Sequence, residues 1–377
     1  MKQVLLRPLW QTGQKDCLWK TAYPWTFQKW RESARRIGIA LDSWDEMPLD
    51  KADCVWLLDL PDTKNEFLNI RKRIRENVPI VLQVIESPVA RTRNFIEENQ
   101  RLCDYVVTYQ HHLPERENYF KYRLPHSLGG VHGKHMPLEQ KRCALMVNSN
   151  RVEGWLAPRQ SGLVGLPGIG RNLSGWKMPL WSWFNPAKGE LYSWRRSLAR
   201  IAETLSDDTL DIIGPGWNGE KISWNPMIQR KPYRRLIANG TDSKLDVVAN
   251  YKFCIAVENY RGTHDYISEK IIDPIVAGAV PVYLGEENIT ETVPENAFVD
   301  VRKFPNQREL LKYLSSCPKH EWEKMFRAGQ EFLKSESARS FSTERFIQNM
   351  NGIIQQILGM PSVQRIDTEK PQKSHPV

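Results

Sequence analysis

The polar residues with the clearest chemical potential lie between two apolar runs in the C-terminal half of the chain. Residues 251–285 read YKFCIAVENYRGTHDYISEKIIDPIVAGAVPVYLG. The first run ends in Glu258 and Asn259, and Glu269 and Lys270 stand where a helix is predicted to begin. Because a helix N-terminus carries free backbone N–H groups and a partial positive charge, it favours anions. A nearby lysine adds a full charge that can reach a phosphate. Asn259 and Glu269 can bond hydroxyl groups, so the arrangement suits a nucleotide-diphosphate sugar. On spacing alone, Glu269 and Lys270 could equally be ordinary residues of a helix surface.

A second candidate is Glu86, in the stretch Ile85-Glu86-Ser87-Pro88. A strand predicted at Pro79–Ile85 delivers this carboxylate to its carboxyl end. A carboxylate held there by a turn can act as a general base. The alternative is that Glu86 only begins a turn or caps the helix that follows.

A third candidate is the pair Arg195 and Arg196, near the start of a predicted helix at Leu191–Leu205. A guanidinium group can hold two phosphate oxygens at once. Arg195 is our preferred phosphate ligand, and Arg196 is nearly as well placed. The alternative is that both belong to a solvated basic face.

Several motifs for metal or cofactor binding are absent from the sequence. No Asp-x-Asp pair and no GxxxxGK[ST] loop occur, and the glycines of residues 165–170 do not match a dinucleotide fingerprint. His111 and His112 have no third metal ligand nearby in the sequence. We therefore predict neither metal nor cofactor, and a leaving diphosphate would be stabilised by Lys270, Arg195 and backbone N–H groups.

The elements that must position these residues alternate between short apolar runs and helical patterns, which is typical of stacked βα units. Strands are predicted at Val4–Leu6, Cys54–Leu60, Pro79–Ile85, Asp104–Tyr109, Ala144–Asn148, Leu210–Gly214, Tyr251–Val257, Val280–Gly285 and Phe298–Val301. Helices are predicted at Trp25–Ile37, Asn65–Glu76, Leu191–Leu205, Lys244–Asn250 and Ile267–Ala277, with two or three more within Arg308–Leu358. Pro274 is unexpected inside a helix, because proline disrupts helical hydrogen bonding.

The chain length predicts about two domains, since a domain typically has ~150 residues and the chain has 377. A loop rich in Gly, Pro and His marks the boundary, giving domains at 1–137 and 138–340. A C-terminal helix at 341–358 and a polar tail at 359–377, predicted to be disordered, follow. The fold class is α/β, and ligands are expected in the cleft between the two halves, beyond the carboxyl ends of the strands.

The net charge of +9 and the pI of about 9.2 permit three kinds of partner: nucleic acid, an anionic membrane face or a phosphate-bearing substrate. Two basic clusters occur, at residues 71–75 and 230–235. The simplest interpretation is that both lie on solvent-exposed helix or loop surfaces. No nucleic-acid motif accompanies them, so nucleic acid is not an expected partner. The six cysteines form no CxxC pair, and no signal peptide or membrane anchor is visible at the N-terminus. These features predict a cytoplasmic protein.

Four strings in the C-terminal half resemble the donor-binding signature of the α-1,3/1,4-fucosyltransferase family (glycosyltransferase family 10). They are YKFCIAVEN, DYISEK, AGAVPVYLG and VPENAFVDVRKF, and they occur in the family's order. Upstream, Glu86-Ser87-Pro88 resembles the family's Glu-Ser-Pro motif. The likeness covers about residues 79–304 and is strongest in its last third.

This resemblance implies the GT-B architecture, in which two Rossmann-like domains face each other across a cleft. It also implies transfer of L-fucose from GDP-fucose, with inversion, to a hydroxyl group of an acceptor glycan. Glu86 would be the general base, and the GDP-sugar would be bound by Arg195, Asn259, Tyr266, Glu269 and Lys270. Val257, Tyr260, Ser268 and Pro274 depart from the family's usual residues around the donor pocket, which leaves the identity of the sugar less firmly implied than the fold.

The lack of a visible anchor suggests a bacterial-type member that acts on a surface-polysaccharide or lipopolysaccharide precursor, with a peripheral contact to an anionic membrane. Three alternatives stay open at this point. They are a transferase of the same fold with another nucleotide sugar, a non-catalytic carbohydrate-binding protein and a basic nucleic-acid-binding protein. The combination of Glu86, Arg195, Glu269 and Lys270 favours an enzyme.

Overall fold

The computed structural model describes residues 1–7, 19, 24–111, 113, 116–128, 136–150, 189–206, 208–217, 243–262 and 265–361. Within these ranges the strands are β1 (Lys2–Arg7), β2 (Ile39–Ser43), β3 (Cys54–Leu58), β4 (Ile80–Gln83), β5 (Tyr105–Thr108), β6 (Tyr119–Lys121), β7 (Arg142–Val147), β8 (Asp211–Ile213), β9 (Tyr251–Val257), β10 (Val280–Leu284) and β11 (Val299–Asp300). The α-helices are α1 (Pro24–Arg36), α2 (Lys64–Arg73), α3 (Glu97–Gln100), α4 (Tyr192–Ala202), α5 (Lys244–Val248), α6 (Glu269–Val276), α7 (Gln307–Ser316), α8 (Lys319–Phe332), α9 (Glu336–Arg339) and α10 (Thr343–Ile357).

The strands form two parallel sheets. The first has the order β2-β1-β3-β4-β5-β6 and the second the order β11-β10-β9-β7-β8. Central strands of a parallel sheet are covered on both faces, so they need near-continuous apolar sequence. Cys54–Leu58 and Val280–Leu284 meet this need, since every residue of both strands is buried. The chain therefore has two α/β units, which confirms the predicted fold class.

The C-terminal helix α10 returns to the first sheet and packs against α1. Met350 and Ile354 on α10 are fully buried and belong to the core of the first unit. The ring of Phe346 meets that of Trp30 edge-on, with the ring centroids 5.6 Å apart. The indole Nε1–H of Trp30 donates to Asn351 Oδ1 over 3.1 Å. The last helix thus completes a hydrophobic core whose strands lie over 200 residues earlier in the chain.

The structure confirms most predicted elements and corrects others. Strands β2 and β6 escaped prediction because β2 alternates buried and half-buried residues and β6 has only 3 residues, none fully buried. The segment predicted to hold two or three helices holds four, one of them a single turn at Glu336–Arg339. Helix α6 continues through Pro274, which is buried near its end. The boundary between residues 137 and 138 stays a prediction, and residues 362–377 of the predicted tail lie outside the described residues.

Candidate active site

Glu86 lies just beyond the carboxyl end of β4, and its peptide is held on both sides. Its backbone N–H donates to Asp59 Oδ2 over 3.3 Å, and its carbonyl oxygen accepts a bond from the Tyr109 hydroxyl over 3.2 Å. Its side chain is half-buried. Within the described ranges no hydrogen bond or ion pair engages the Glu86 carboxylate. The fold therefore fixes the backbone of Glu86 and leaves its carboxylate available to accept a proton.

Glu258 organises the other half of the site. It follows β9 directly and is 0% exposed. Its carboxylate accepts bonds from the backbone N–H and the hydroxyl of Ser268, over 2.9 and 2.7 Å, and lies 3.3 Å from the ammonium group of Lys270. A Cβ atom on Gly285 would lie 2.4 Å from Cγ of Glu258, so only glycine fits there. Glu258 thereby ties the N-terminus of α6 to the ends of β9 and β10.

Glu269, the first residue of α6, is flanked by two ammonium groups. Its carboxylate lies 3.5 Å from Lys270 Nζ and 3.9 Å from Lys244 Nζ. Lys244 also pairs with Asp273 over 2.7 Å. Burial opposes the ionisation of Glu269, but the two lysines outweigh it and hold the pKa of Glu269 well below its ordinary value. Glu269 is therefore an anion at neutral pH and can only accept hydrogen bonds from a ligand.

Arg195 is 2% exposed, although it carries a charge. It donates from Nη2 to the carbonyl oxygen of Val257 and, over 3.0 Å, to Asn259 Oδ1. Its guanidinium carbon lies 5.1 Å from the ring centroid of Tyr192. Its Nε atom is buried and has no hydrogen-bond partner in the described part of the chain. The bond to Asn259 joins Arg195 to another predicted donor residue, and Arg196 is more exposed than Arg195.

Tyr266 joins the two halves of the site. It is 5% exposed and packs into the hydrophobic core of the first unit. Its ring lies 5.2 Å from that of Tyr109, centroid to centroid. Burial, followed by the negative charges of Glu258 and Glu86, raises the pKa of the Tyr266 hydroxyl well above its ordinary value. Tyr266 therefore interacts both with Glu86 of the first unit and with Glu258 of the second.

Two residues of this arrangement were missing from the sequence prediction of the site, namely Asp59 and Glu258. Asp59 directly follows β3, in which every residue is buried, and Glu258 directly follows β9, in which every residue but Lys252 is buried. Polar residues in that position point to the ligand-binding edge of a parallel sheet. That signal could have identified both of them.

Other predicted features have structural roles or fall outside the described ranges. In the first basic cluster, Arg71 pairs with Asp104 over 3.0 Å and Arg75 with Asp53 over 3.1 Å. The second cluster at 230–235, His112 and the glycines of residues 165–170 lie outside the described residues. Among the helices that are described, none has the length and apolar composition needed to cross a membrane.

The C-terminal part of the chain has a recognisable family signature. Residues 222–351 match the model of the C-terminal region of glycosyltransferase family 10 (fucosyltransferase). The match includes β9, α6 and β10 and the segment between β9 and α6, so it contains Asn259, Tyr266, Glu269 and Lys270.

Curated proteins similar to this chain include two kinds of fucosyltransferase. Alpha-(1,3)-fucosyltransferase 4 of Mus musculus is 48% identical over 73 residues, which are 19% of this chain and 17% of the mouse protein. GDP-fucose protein O-fucosyltransferase 3 of Xenopus tropicalis is 38% identical over 76 residues, 20% of this chain and 16% of the frog protein. The chain therefore matches only about a sixth of the length of these relatives.

Solved structures similar to this one cover nearly the whole chain at low sequence identity. An α1,3-fucosyltransferase bound to GDP aligns with a TM-score of 0.51 and 14% identity, over 96% of this chain and 91% of that one. A DNA-modifying β-glucosyltransferase aligns with a TM-score of 0.51 and 12% identity, over 96% and 100%. At such identities the likeness establishes the fold alone, and it confirms the GT-B arrangement.

Proposed function

We propose that this chain is an inverting fucosyltransferase that moves L-fucose from GDP-fucose to a hydroxyl group of an acceptor glycan. The observation that carries the proposal is the placement of Glu86. Its peptide is fixed by Asp59 and Tyr109, its carboxylate is unpaired among the described residues, and the contact between Tyr109 and Tyr266 brings it to the family 10 donor region. A base in that position can serve an acceptor next to a bound donor sugar.

The reaction is a single displacement at the anomeric carbon. The acceptor oxygen forms a bond to that carbon while the bond from the carbon to the GDP phosphate oxygen breaks. The proton of the acceptor hydroxyl passes to the Glu86 carboxylate, and the bonding electron pair leaves with GDP. Because the nucleophile attacks from the face opposite the leaving group, the configuration at the anomeric carbon inverts.

The leaving diphosphate gains negative charge, which the cations of the second unit stabilise. Arg195 offers its Nε donor, which has no partner among the described residues, and Lys270 offers an ammonium group that is 12% exposed. Lys270 already touches Glu258 and Glu269. A bound diphosphate would therefore replace part of the contacts that Lys270 makes to these two carboxylates. Such charge-assisted bonds in a desolvated site are the main source of stabilisation for a departing anion.

The remaining donor residues position the sugar nucleotide. Arg195 holds the amide oxygen of Asn259, and the amide N–H groups of Asn259 would donate to the sugar nucleotide. Glu269, kept ionised by its two lysines, accepts bonds from sugar or ribose hydroxyls. Tyr266, which packs against Tyr109 and into the core of the first unit, would border the donor site on the side of the first unit.

Metal-independent transfer is part of the same proposal, because Arg195, Lys270 and the α6 N-terminus supply positive charge where the diphosphate would lie. We also propose that the acceptor belongs to surface-polysaccharide or lipopolysaccharide synthesis. The protein would make a peripheral contact with an anionic membrane. The net charge of the chain, +9, supports the membrane contact.

A second candidate is a transferase of the same fold that uses a different nucleotide sugar. It is favoured by a solved neighbour in complex with UDP-glucose, which aligns with a TM-score of 0.53 and 10% identity. Since that likeness concerns the fold, the donor must be decided by binding.

Donor binding is tested by calorimetric titration of the purified chain with GDP-fucose, GDP-mannose and UDP-glucose, each with a chelator present. We expect GDP-fucose to bind at least about tenfold more tightly than the others, a difference of ~1.4 kcal/mol. A preference for GDP-mannose or UDP-glucose would overturn fucose as the sugar. Binding that disappears on chelation would overturn metal independence.

A further inference from the structure

Asp59 is a buried carboxylate that takes up no proton and binds no substrate in the reaction proposed above. It follows β3 and is 0% exposed. Its backbone φ is +61°, in the left-handed region that non-glycine residues seldom occupy. Such a conformation persists only where its surroundings hold it in place, and it is most frequent at functional sites. The position of Asp59 is therefore enforced by the fold.

The surroundings that hold Asp59 are the residues leading to Glu86. The backbone N–H of Asp59 donates to the carbonyl oxygen of Gln83 over 2.9 Å. Its carboxylate accepts from the backbone N–H of Ile85 over 2.7 Å and from that of Glu86 over 3.3 Å. β4 ends at Gln83. The N–H of Val84 still donates to Val107 of the next strand, and Asp59 then takes the N–H groups of Ile85 and Glu86 and shapes the turn that carries Glu86.

We propose that Asp59 is a positioning residue for Glu86, and that the carboxylates of the two residues form an interacting pair. This inference rests on the proposed function, because it assigns Asp59 a part in the work of Glu86. Its carboxylate fixes the peptide of Glu86 from the N–H side, and Tyr109 fixes it from the carbonyl side. A base held on both sides needs no reorganisation when the acceptor arrives.

The charges around Asp59 support the coupling. Burial, the largest influence, raises the pKa of Asp59 to about 7, and the charge of Glu86 acts in the same direction. The peptide N–H groups of Ile85 and Glu86 and the guanidinium of Arg91 oppose this rise. Arg93, Tyr109 and Tyr122 are the other titratable groups that interact with Asp59. Asp59 therefore gains its proton near neutral pH, within the range in which the enzyme would work.

Two measurements test this inference, and the first needs no transferase activity. Aspartate carboxyl groups are labelled with carbon-13, the Asp59→Asn spectrum identifies the Asp59 signal, and that signal is titrated in the wild type and in Glu86→Gln. We expect a midpoint at about 7 in the wild type and a fall of at least ~0.5 pH unit once the Glu86 charge is removed. A midpoint near the ordinary value for aspartate, or one that Glu86→Gln leaves unchanged, would overturn the pairing.

The second measurement is the pH profile of fucosyl transfer by Asp59→Asn. We expect kcat to fall about 10- to 100-fold, because the base loses its fixed position, while KM for GDP-fucose changes by less than about twofold. The inflection near neutral pH should also disappear, which a merely structural role would not cause. An unchanged profile in a folded variant would overturn the inference, and Asp50→Asn, on the surface of the same unit, is the matched control.

The two arms separate the inference from the proposed function. If the wild type transfers no fucose but the Asp59 signal still shifts in Glu86→Gln, the fucosyl transfer fails and the carboxylate pair stands. If fucosyl transfer occurs and depends on Glu86, but the Asp59 signal does not respond to Glu86→Gln, only the proposed carboxylate pair is wrong.

Discussion

The Glu86→Gln variant is expected to lose about 100- to 10,000-fold in kcat for fucosyl transfer, which is the typical contribution of a general base. Glutamine keeps the size of the side chain and the backbone bonds to Asp59 and Tyr109, but it cannot accept the proton of the acceptor. GDP affinity should stay unchanged, because the charged residues predicted to hold GDP, Arg195, Glu269 and Lys270, lie in the second unit. Initial rates at saturating GDP-fucose, together with GDP calorimetry, measure both quantities.

The matched control for this variant is Glu76→Gln, which removes an exposed carboxylate from the same unit. The control should keep wild-type kcat. A Glu86→Gln enzyme with the turnover of this control would show that Glu86 is not the base. A variant that loses GDP affinity along with turnover would show instead that Glu86 contributes to donor binding.

The Lys270→Ala variant is expected to weaken GDP binding about 10- to 100-fold. A hydrogen bond to a charged group is worth roughly 1.5–3 kcal/mol, and each ~1.4 kcal/mol changes the dissociation constant tenfold. The measurement is calorimetric titration with GDP. Lys324→Ala, which removes an exposed lysine from α8, is the charge-matched control and should bind GDP as the wild type does.

Loss of Lys270 also removes the ammonium group next to the buried Glu258 carboxylate, and a buried charge without its partner is strongly destabilising. The double variant Glu258→Gln/Lys270→Ala removes both charges and should fold more stably than Lys270→Ala alone. It should still bind GDP weakly. Recovery of wild-type GDP affinity in the double variant would mean that Lys270 only neutralises Glu258 and does not contact the diphosphate.

Much of the fold could be predicted from the sequence because its central strands are buried on both faces. Runs such as Cys54–Leu58 and Val280–Leu284 must be apolar throughout, and that pattern is visible without any structure. Short edge strands lack the pattern, and for this reason Ile39–Ser43 and Tyr119–Lys121 were missed. The return of α10 to the first core depends on contacts over 300 residues apart in the chain, such as that between Trp30 and Phe346.

The candidate site could be predicted only in part. Residues that follow a strand or begin a helix, such as Glu86 and Lys270, can be located by position along the chain. What those residues touch depends on the spatial arrangement of separate strands and units. The bond from the Glu86 peptide to Asp59 and the contact of Tyr266 with Tyr109 are both of this kind. The sequence also gives no sign that Glu258 is fully buried beneath Lys270.

The central claim is inverting fucosyl transfer, and its most direct test is the configuration of the sugar that is released. The purified chain is incubated with GDP-β-L-fucose in water without an acceptor, and proton NMR follows the first fucose to appear, before its anomers interconvert. We predict α-L-fucose, formed by attack of water from the face opposite GDP, and a strong decrease in its release by Glu86→Gln. Initial formation of β-L-fucose, or no release of fucose at saturating donor, would contradict inverting transfer by this site.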